Sequence, residues 1–253
     1  MPVPREWALE DKVAVVAGNG LGWSPALVEA LSEAGAQIVA VARDRAQTAA
    51  MLSRASLSPA RTIQLSADLT RPSDVRRAVR KVVAAFGRID ILVNNPQRVV
   101  VQPFLATSLL DMRRMLDENL KSVLLCCREV GRVMVAQGKG RIINITSILG
   151  ERGIANEALY CAAQGAVIQL TRALGLEWAP SGVRVNAIGC GWFTMEQIPQ
   201  EEQEKSLLVR YLPSRRLGVP EDIGPLLVYL ASDACDFIAG QTVFVDGGAL
   251  VHL

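Results

Sequence analysis

Seven short apolar runs, rich in valine and isoleucine, recur along the chain and are separated by amphipathic stretches. They show little alternation between apolar and polar residues, which is typical of strands in a parallel sheet covered on both faces. The pattern predicts strands at residues 12–18, 37–44, 61–68, 89–95, 140–147, 183–189 and 241–248.

Apolar residues at helical spacing predict helices between these strands. The first helix is expected to have Ser24 as its N-cap, Pro25 as its first residue and Gly35 as its C-cap. The next is expected to have Pro72 in its first turn and to stop at Gly87. Longer helical regions are predicted at residues 108–137, 156–179 and 220–232.

Strands that alternate with helices imply right-handed crossovers between parallel strands. The chain is therefore predicted to be α/β, with a Rossmann-like, doubly wound parallel sheet of seven strands flanked by helices in one domain over residues 1–253. Residues 192–216 break the alternation and are expected to form an insert above the carboxyl edge of the sheet, as a lid over the substrate.

Size and charge narrow the classes of function. The chain has 253 residues, half of them hydrophobic, and a net charge of +2, which gives no electrostatic reason to expect nucleic acid or an anionic membrane as a partner. The first residues lack the apolar core of a signal peptide, and no later apolar run reaches transmembrane length. We therefore expect a cytoplasmic protein that acts on a small molecule.

Cysteine and histidine usage excludes several kinds of site. The five cysteines form no C-x-x-C pair, so reduced thiols are expected. The one histidine is His252, next to the C-terminal residue, which effectively excludes histidine-based metal sites and Ser-His-Asp triads. No metal is expected.

The loop after the first predicted strand reads AGNGLGWSPAL over residues 17–27. Its glycines, Gly18, Gly20 and Gly22, allow a tight turn that brings backbone N–H groups close to a phosphate at the start of the following helix. The position of the loop in the first βαβ unit favours dinucleotide binding. A strand-to-helix turn with no ligand explains the glycines as well.

With the motifs that follow it, this loop makes the sequence similar to the short-chain dehydrogenase/reductase family over nearly its whole length. The family loop T-G-x-x-x-G-[IL]-G is matched at Gly18 and Gly22, whereas Trp23 and Ser24 depart from it. The loop also reads G-x5-S-x-A, which resembles the enoyl reductase branch. The resemblance implies cofactor contacts at Gly18, Asn19, Gly22, Trp23, Ser24, Arg43, Asp68, Leu69, Asn94, Asn95, Tyr160, Gln164, Gly191, Phe193 and Thr194.

At two places the comparison with the family is less simple. Asn94 and Asn95 agree with the family sequence N-N-A-G, but Gln97 brings a side chain to a position where a glycine lets the backbone approach the cofactor. At the end of the second strand, relatives that prefer NAD carry an aspartate where this chain has Ala42, followed by Arg43. A guanidinium suits a 2′-phosphate, so NADP(H) is favoured over NAD(H). Arg43 as a solvated strand end is the alternative.

The resemblance assigns catalysis to four residues. Ser147 and Tyr160 have the spacing of the family's catalytic serine and tyrosine, and Asn119 matches the asparagine that anchors a proton-relay water. Gln164, one helical turn after Tyr160, occupies the position of the family lysine, whose ammonium bonds the nicotinamide ribose and lowers the tyrosine pKa. An amide can perform only the first of these tasks.

The missing charge decides the direction of catalysis. A unit charge about 4–5 Å from a phenolate, at an effective dielectric constant of about 20, is worth about 3–4 kcal/mol, or roughly 2–3 pKa units. Without it Tyr160 is a poor base for alcohol oxidation but still a proton donor for reduction of a carbonyl or a polarised C=C bond. A rescue by Lys121 or Arg152, and a reactive thiol rather than a packing role at Cys190, are open alternatives.

Two other classes of function remain. Three departures from the family, at Ser24, Gln97 and Gln164, are compatible with a catalytically silent subunit, a regulator or a scaffold. Tyr160 and Ser147 also suit non-redox acid/base chemistry, such as dehydration or isomerisation. The redox reading is favoured, with a carbonyl substrate.

The apolar pattern also bears on the assembly of the protein and on where substrate specificity lies. Regions 108–137 and 156–179 have the apolar surface for a four-helix contact, so a homodimer or homotetramer is expected, and a hetero-oligomer with an active subunit is an alternative. A buried core helix explains region 108–137 almost as well. Specificity is expected to lie in residues 97–104 and in the insert, where Trp192, Phe193, Met195 and Leu207 suggest either an apolar pocket or a lid without a ligand.

Overall fold

The computed structural model describes residues 5–19, 22–55, 61–96, 98–196 and 198–252. Seven strands form one parallel sheet in the order β3-β2-β1-β4-β5-β6-β7, which confirms the predicted doubly wound α/β fold. The strands are β1 (Val13–Gly18), β2 (Gln37–Ala42), β3 (Thr62–Ser66), β4 (Ile91–Asn95), β5 (Gly140–Ser147), β6 (Val183–Cys190) and β7 (Thr242–Val245).

Nine α-helices connect the strands in the described part of the chain, and none of them has the length and apolar character to span a membrane. They are α1 (Ser24–Glu33), α2 (Arg45–Met51), α3 (Pro72–Phe86), α4 (Leu109–Leu116), α5 (Ser122–Gln137), α6 (Ala158–Trp178), α7 (Gln200–Gln203), α8 (Leu207–Tyr211) and α9 (Gly224–Ala231).

Each face of the sheet has its own apolar core, because successive side chains of a strand point to opposite faces. In β1, Ala14 and Val16 pack with α1 and α9, whereas Val13 and Val15 pack with α3, α5 and α6. Both faces of the central strands are therefore covered, which explains their continuous apolar sequences. The edge strand β3 is only partly buried.

The start of α1 differs from the prediction. Trp23 is the N-cap and Ser24 is the first helical residue, so Ser24 does not cap the helix. The Ser24 hydroxyl instead accepts a hydrogen bond from Asn95 Nδ2 at 2.9 Å, which joins α1 to the end of β4. At the other end Ala34 is the C-cap rather than Gly35, which follows it with φ 106. For α3, Gly87 is the C-cap as predicted, with φ 73.

Two helical regions contain features that the sequence pattern did not predict. Helix α2 lies where no helix was expected, and its N-cap is Asp44, whose carboxylate accepts a hydrogen bond from the Gln47 amide at 2.9 Å. The predicted region 108–137 is confirmed as helical but contains a π-helical turn at Asp117–Lys121 between α4 and α5. This turn carries Asn119.

Candidate active site

A cavity of about 400 Å³ opens at the carboxyl ends of the strands, where the strand order reverses between β1 and β4. This switch point is where doubly wound sheets bind ligands. The cavity brings together residues from four successive strand ends, as the sequence motifs require. Its lining comprises Ala17, Gly18, Asn19, Arg43, Gln47, Ala67, Asp68, Leu69, Thr70, Asn94, Pro96, Arg98, Val99, Val100, Glu118, Ser122, Val123 and Cys126.

The glycine loop is shaped by close packing. A Cβ at Gly18 would lie 2.7 Å from the Asn95 backbone oxygen, so only glycine lets β1 and β4 approach this closely. Gly22 has φ 58, a left-handed conformation that favours glycine. Gly20 and Gln97, which were singled out in the sequence, lie outside the described residues.

Charged side chains surround the cavity. The exposed Arg43 guanidinium lies 3.4 Å from Glu118 Oε1, and Arg98 Nη1 lies 3.7 Å from Glu118 Oε2. Asp68 accepts hydrogen bonds from the Thr70 hydroxyl at 2.7 Å and the Thr70 amide at 3.0 Å. Partial burial raises the pKa of Asp68, but these hydrogen bonds and the nearby arginines lower it more. The net result is a lowered pKa, so the carboxylate is ionised at neutral pH.

The two asparagines at the end of β4 are buried. Asn94 Nδ2 donates to Asn144 Oδ1 at 2.8 Å, and Asn144 Nδ2 donates to the Thr171 hydroxyl at 2.9 Å, which links three elements. Asn95 Oδ1 is buried without a hydrogen-bond partner among the described residues. An unpaired buried acceptor beside the glycine loop fits a site that a polar ligand completes.

Ser147 and Tyr160 meet at the carboxyl end of β5. Both are buried, with 6% and 7% of their surfaces exposed. Burial raises the pKa of Tyr160 far above its usual value, nearby Cys190 adds to the rise, and the Ser147 side chain, which lies close to the phenol, offsets only part of it. Tyr160 is therefore a neutral phenol at physiological pH.

Gln164 is 1% exposed and held by a residue that the sequence did not single out. The Thr146 hydroxyl donates to Gln164 Oε1 at 2.7 Å. Because this bond engages the oxygen of the amide, Nε2 is the group of Gln164 that can act as a donor. A strand residue and a helix residue 18 positions apart make this contact, so no local sequence signal marks it.

Asn119 fixes the loop after β4. Its Nδ2 donates to the backbone oxygens of Arg98 at 2.8 Å and Met115 at 3.1 Å, and its Oδ1 accepts from the Arg98 amide at 3.1 Å. The side chain thereby places Arg98 at the cavity. The predicted proton relay at Asn119 stays a prediction.

The two candidate rescue cations are both engaged elsewhere. Lys121 pairs with Asp117 at 3.2 Å, and its side chain is 43% exposed. Arg152 lies between Trp192 and Tyr211. No cation is among the described groups that shift the pKa of Tyr160. Cys190, paired with Ser147 across β5 and β6, is fully buried, and burial raises its thiol pKa, so packing rather than reactivity describes it.

Three predicted cofactor contacts follow β6, namely Gly191, Phe193 and Thr194, and none of them is among the residues that line the cavity. Phe193 and Trp23 are in ring contact, with centroids 5.4 Å apart. The Gly191 amide donates to Val245 at 3.0 Å, and the Thr194 amide donates to Gly218 at 2.9 Å. Met195 and Leu207, for which an apolar pocket and a lid without a ligand were the two alternatives, are exposed.

Comparison with known proteins matches residues 15–250 to a family model described as Enoyl-(Acyl carrier protein) reductase. The chain belongs to the short-chain dehydrogenase/reductase family. It is 33% identical to 2-dehydro-3-deoxy-D-gluconate 5-dehydrogenase of Escherichia coli, over 97% of this chain and 98% of the relative. It is 34% identical to cis-4-hydroxycyclohexanecarboxylate dehydrogenase of Sinomonas cyclohexanicum, over 95% of this chain and 97% of the relative.

Among solved structures, the chain is similar to a gluconate 5-dehydrogenase from Burkholderia cenocepacia in complex with NADP and tartrate. The TM-score is 0.88 and the identity 31%, with 98% of each chain covered. The chain is accordingly an NAD(P)-dependent short-chain oxidoreductase. No group of three or more potential metal ligands (His, Cys, Asp or Glu) occurs among the described residues.

Proposed function

We propose that this oxidoreductase uses NADP(H) and works chiefly as a carbonyl reductase, with Tyr160 as the proton donor and Ser147 orienting the substrate oxygen. The observation that carries the proposal is the buried, neutral Tyr160, which lies beside Ser147 and has no cation among the described groups that act most strongly on its pKa. A phenol in this state is ready to donate a proton and poorly suited to accept one.

When bound, the reduced nicotinamide supplies a hydride to the carbonyl carbon, and the protein completes the reaction at the oxygen. The Ser147 hydroxyl donates a hydrogen bond that orients the carbonyl oxygen. Tyr160 transfers its proton to the same oxygen as negative charge develops there, which leaves a phenolate. Reduction begins from the protonated form that dominates at neutral pH, whereas oxidation requires the rare phenolate.

Gln164 takes the place that the family resemblance gives to a lysine. Thr146 fixes the amide so that Nε2 is available to donate to the nicotinamide ribose, which supports binding without supplying a positive charge. The same amide leaves the Tyr160 pKa high. Gln164 would therefore contribute to cofactor binding without favouring oxidation of an alcohol.

A preference for NADP(H) is supported by the cavity at β1 and β4. Arg43 lies at its rim with its guanidinium 58% exposed, and Arg98 adds a second positive charge. An incoming 2′-phosphate would compete with Glu118 for both guanidinium groups. The size and polar lining of the cavity fit the adenosine half of the dinucleotide.

The relatives support an acidic substrate. Some relatives are named for glycerol and for a 3-oxoacyl-acyl carrier protein, which have no free carboxylate. Of the three relatives described above, however, two are named for gluconate or a gluconate derivative and one for a cyclohexanecarboxylate, so these three names share a carboxylate. We therefore assign an oxo acid to this chain, with the segment 192–216 as its lid. Trp192 and Leu212 of that segment pack in the apolar cluster that contains Tyr160.

An oligomer is part of the proposal. The large apolar residues Leu109, Leu110, Leu116, Leu124, Val135 and Leu176 on α4, α5 and α6 are at least 38% exposed. A homodimer or homotetramer would cover them. Light scattering coupled to size exclusion measures the assembly.

The test combines NADPH fluorescence titration with rates of oxo acid reduction and of hydroxy acid oxidation. Tyr160→Phe should lower the reduction rate by about 10²- to 10⁴-fold while the NADPH affinity is kept. Tyr229→Phe is the matched control, because Tyr229 packs on Trp7 away from the site. Unchanged reduction in Tyr160→Phe would refute the proposal, and a parent protein that binds no NADPH would favour a silent subunit or a non-redox enzyme.

A further inference from the structure

The guanidinium of Arg152 lies between two aromatic rings. Its guanidinium carbon lies 5.6 Å from the Trp192 ring centroid and 5.7 Å from that of Tyr211. Its Nη1 donates to the Tyr211 hydroxyl at 3.1 Å and to the Ala249 backbone oxygen at 3.2 Å. These contacts restrict a side chain that otherwise has high rotamer entropy.

The groups that contact the Arg152 guanidinium connect it to the apolar cluster that contains Tyr160. Arg152 is in the turn that follows Ser147, and its amide donates to the Ile148 oxygen at 3.1 Å. Trp192 and Ala249, which hold the guanidinium, belong to the same apolar cluster as Tyr160. The positive charge is therefore at the border of the cluster that buries the proton donor.

The charge of Arg152 is not neutralised by any described acidic side chain. No described Asp or Glu lies within ion-pair distance of it, whereas neighbouring Arg172 pairs with Glu151 at 3.0 Å and Arg216 pairs with Asp222. The hydrogen bonds of Arg152 to described residues use Nη1 alone, so Nε and Nη2 are available as a pair of donors. A planar guanidinium with two parallel donors matches a carboxylate.

We propose that Arg152 is the substrate-binding residue that takes the carboxylate of the oxo acid. This inference rests on the proposed function, and it adds the group that recognises the acid. The aromatic rings hold the guanidinium in place before binding, so little entropy is lost when the two charge-assisted hydrogen bonds form. The carboxylate at Arg152 would then fix the orientation in which the carbonyl meets Ser147 and Tyr160.

The experiment measures binding rather than turnover. Calorimetry compares tartrate with threitol in low salt and with NADP present. Threitol has the same four-carbon skeleton and the same two secondary hydroxyls, but CH2OH groups replace the carboxylates. The variants are Arg152→Gln, Arg152→Lys and the control Arg77→Gln. Arg77 pairs with Asp74 on α3, so its loss changes the net charge equally but away from the site.

The parent is expected to bind tartrate at least about 10-fold more tightly than threitol. Arg152→Gln should weaken tartrate by about 10- to 100-fold and leave threitol within about twofold, because only the carboxylate contact is lost. Arg152→Lys keeps the charge but not the two parallel donors and should fall between them. Arg77→Gln should resemble the parent.

Three results would overturn the inference. These are a parent that does not prefer tartrate, an Arg152→Gln variant that weakens both ligands equally, and an equal loss in Arg77→Gln. If Arg152→Gln does not fold, the comparison of Arg152→Lys with the parent decides. Tartrate binding that depends on Arg152 in a protein whose reduction does not depend on Tyr160 would refute the proposed reaction and retain the carboxylate site.

Discussion

The two ends of the candidate site differ in how they carry charge. At the cavity beside β1 and β4, Arg43, Arg98 and Glu118 are partly exposed and paired with one another. At the end of β5, Tyr160 and Gln164 are buried and neutral. The first end can recognise charge at low cost, because water screens its groups. At the second end a single added charge would change the protonation of the whole site.

The comparison implies that substitutions have different consequences at the two ends. At an effective dielectric constant of about 20, a charge about 4–5 Å from Tyr160 changes the stability of the phenolate by about 3–4 kcal/mol. At the exposed end, removal of one arginine affects only the ligands that contact it. Cofactor choice and reaction direction should therefore vary independently.

The largest effect is expected from Gln164→Lys. An ammonium one helical turn from Tyr160 should lower the tyrosine pKa, and alcohol oxidation at neutral pH should rise by about 10²- to 10³-fold while reduction changes by less than about 10-fold. In the parent the Thr146 hydroxyl donates to Gln164, and in the variant its oxygen can accept a hydrogen bond from the lysine ammonium. Steady-state rates in both directions measure the ratio.

Gln169→Lys is the control for that variant. Gln169 is exposed on the same helix and bonds to Arg172, so the same substitution there adds the charge away from the phenol. If oxidation and reduction change by the same factor in Gln164→Lys, the electrostatic account of direction is wrong.

The second prediction concerns pH. Because burial raises the pKa of Tyr160, the donor form persists through the neutral and mildly alkaline range and is lost only as the pH rises through that pKa. Reduction should therefore be flat from about pH 6 to 9, whereas oxidation should increase about 10-fold per pH unit as phenolate accumulates. Plots of kcat/KM against pH in both directions test this. An oxidation rate that reaches a plateau below about pH 8 would contradict it.

The sequence predicted the parts of the fold that depend on burial. Each central strand is covered on both faces, so its residues must be apolar, and the same runs reappear as β1, β2, β4, β5 and β6. Helix α2 was missed because only Thr48 and Met51 among its seven residues are buried, which leaves little periodicity to detect. Ser24 was misassigned because its hydroxyl bonds Asn95 across the fold rather than its own helix.

The candidate site was predictable only where residues have a fixed register. The family resemblance, through the spacing of Ser147 and Tyr160, predicted that the two lie together, and in the structure both are buried, with Ser147 close enough to affect the pKa of Tyr160. The contact of Thr146 with Gln164 depends on how α6 packs on the sheet. The position of Arg152 depends on how the segment 192–216 packs, because Trp192 belongs to that segment. Tertiary contacts between distant residues leave no local pattern.

The third prediction tests the charged end. Arg43→Ala should weaken NADPH binding by about 10-fold and leave NADH within about twofold, because only the 2′-phosphate distinguishes the two cofactors. The loss should shrink at high salt, since the guanidinium is exposed. Arg45→Ala, at the exposed start of α2, is the control, and fluorescence titration with both cofactors gives the affinities. Equal loss for NADPH and NADH would mean that Arg43 does not read the phosphate.

The smallest effect is expected at Thr146. Its hydroxyl orients the neutral Gln164 amide, so it should influence cofactor binding and leave the direction of the reaction unchanged. Thr146→Val removes the donor to the buried Gln164 Oε1, so the amide loses its fixed orientation and NADPH affinity should fall about 3- to 10-fold. Thr146→Ser keeps the hydroxyl and should stay within about twofold. The ratio of oxidation to reduction should not change in either variant, because no charge near Tyr160 is altered. A changed ratio with unchanged NADPH affinity would show that Thr146 acts on the tyrosine and not through Gln164.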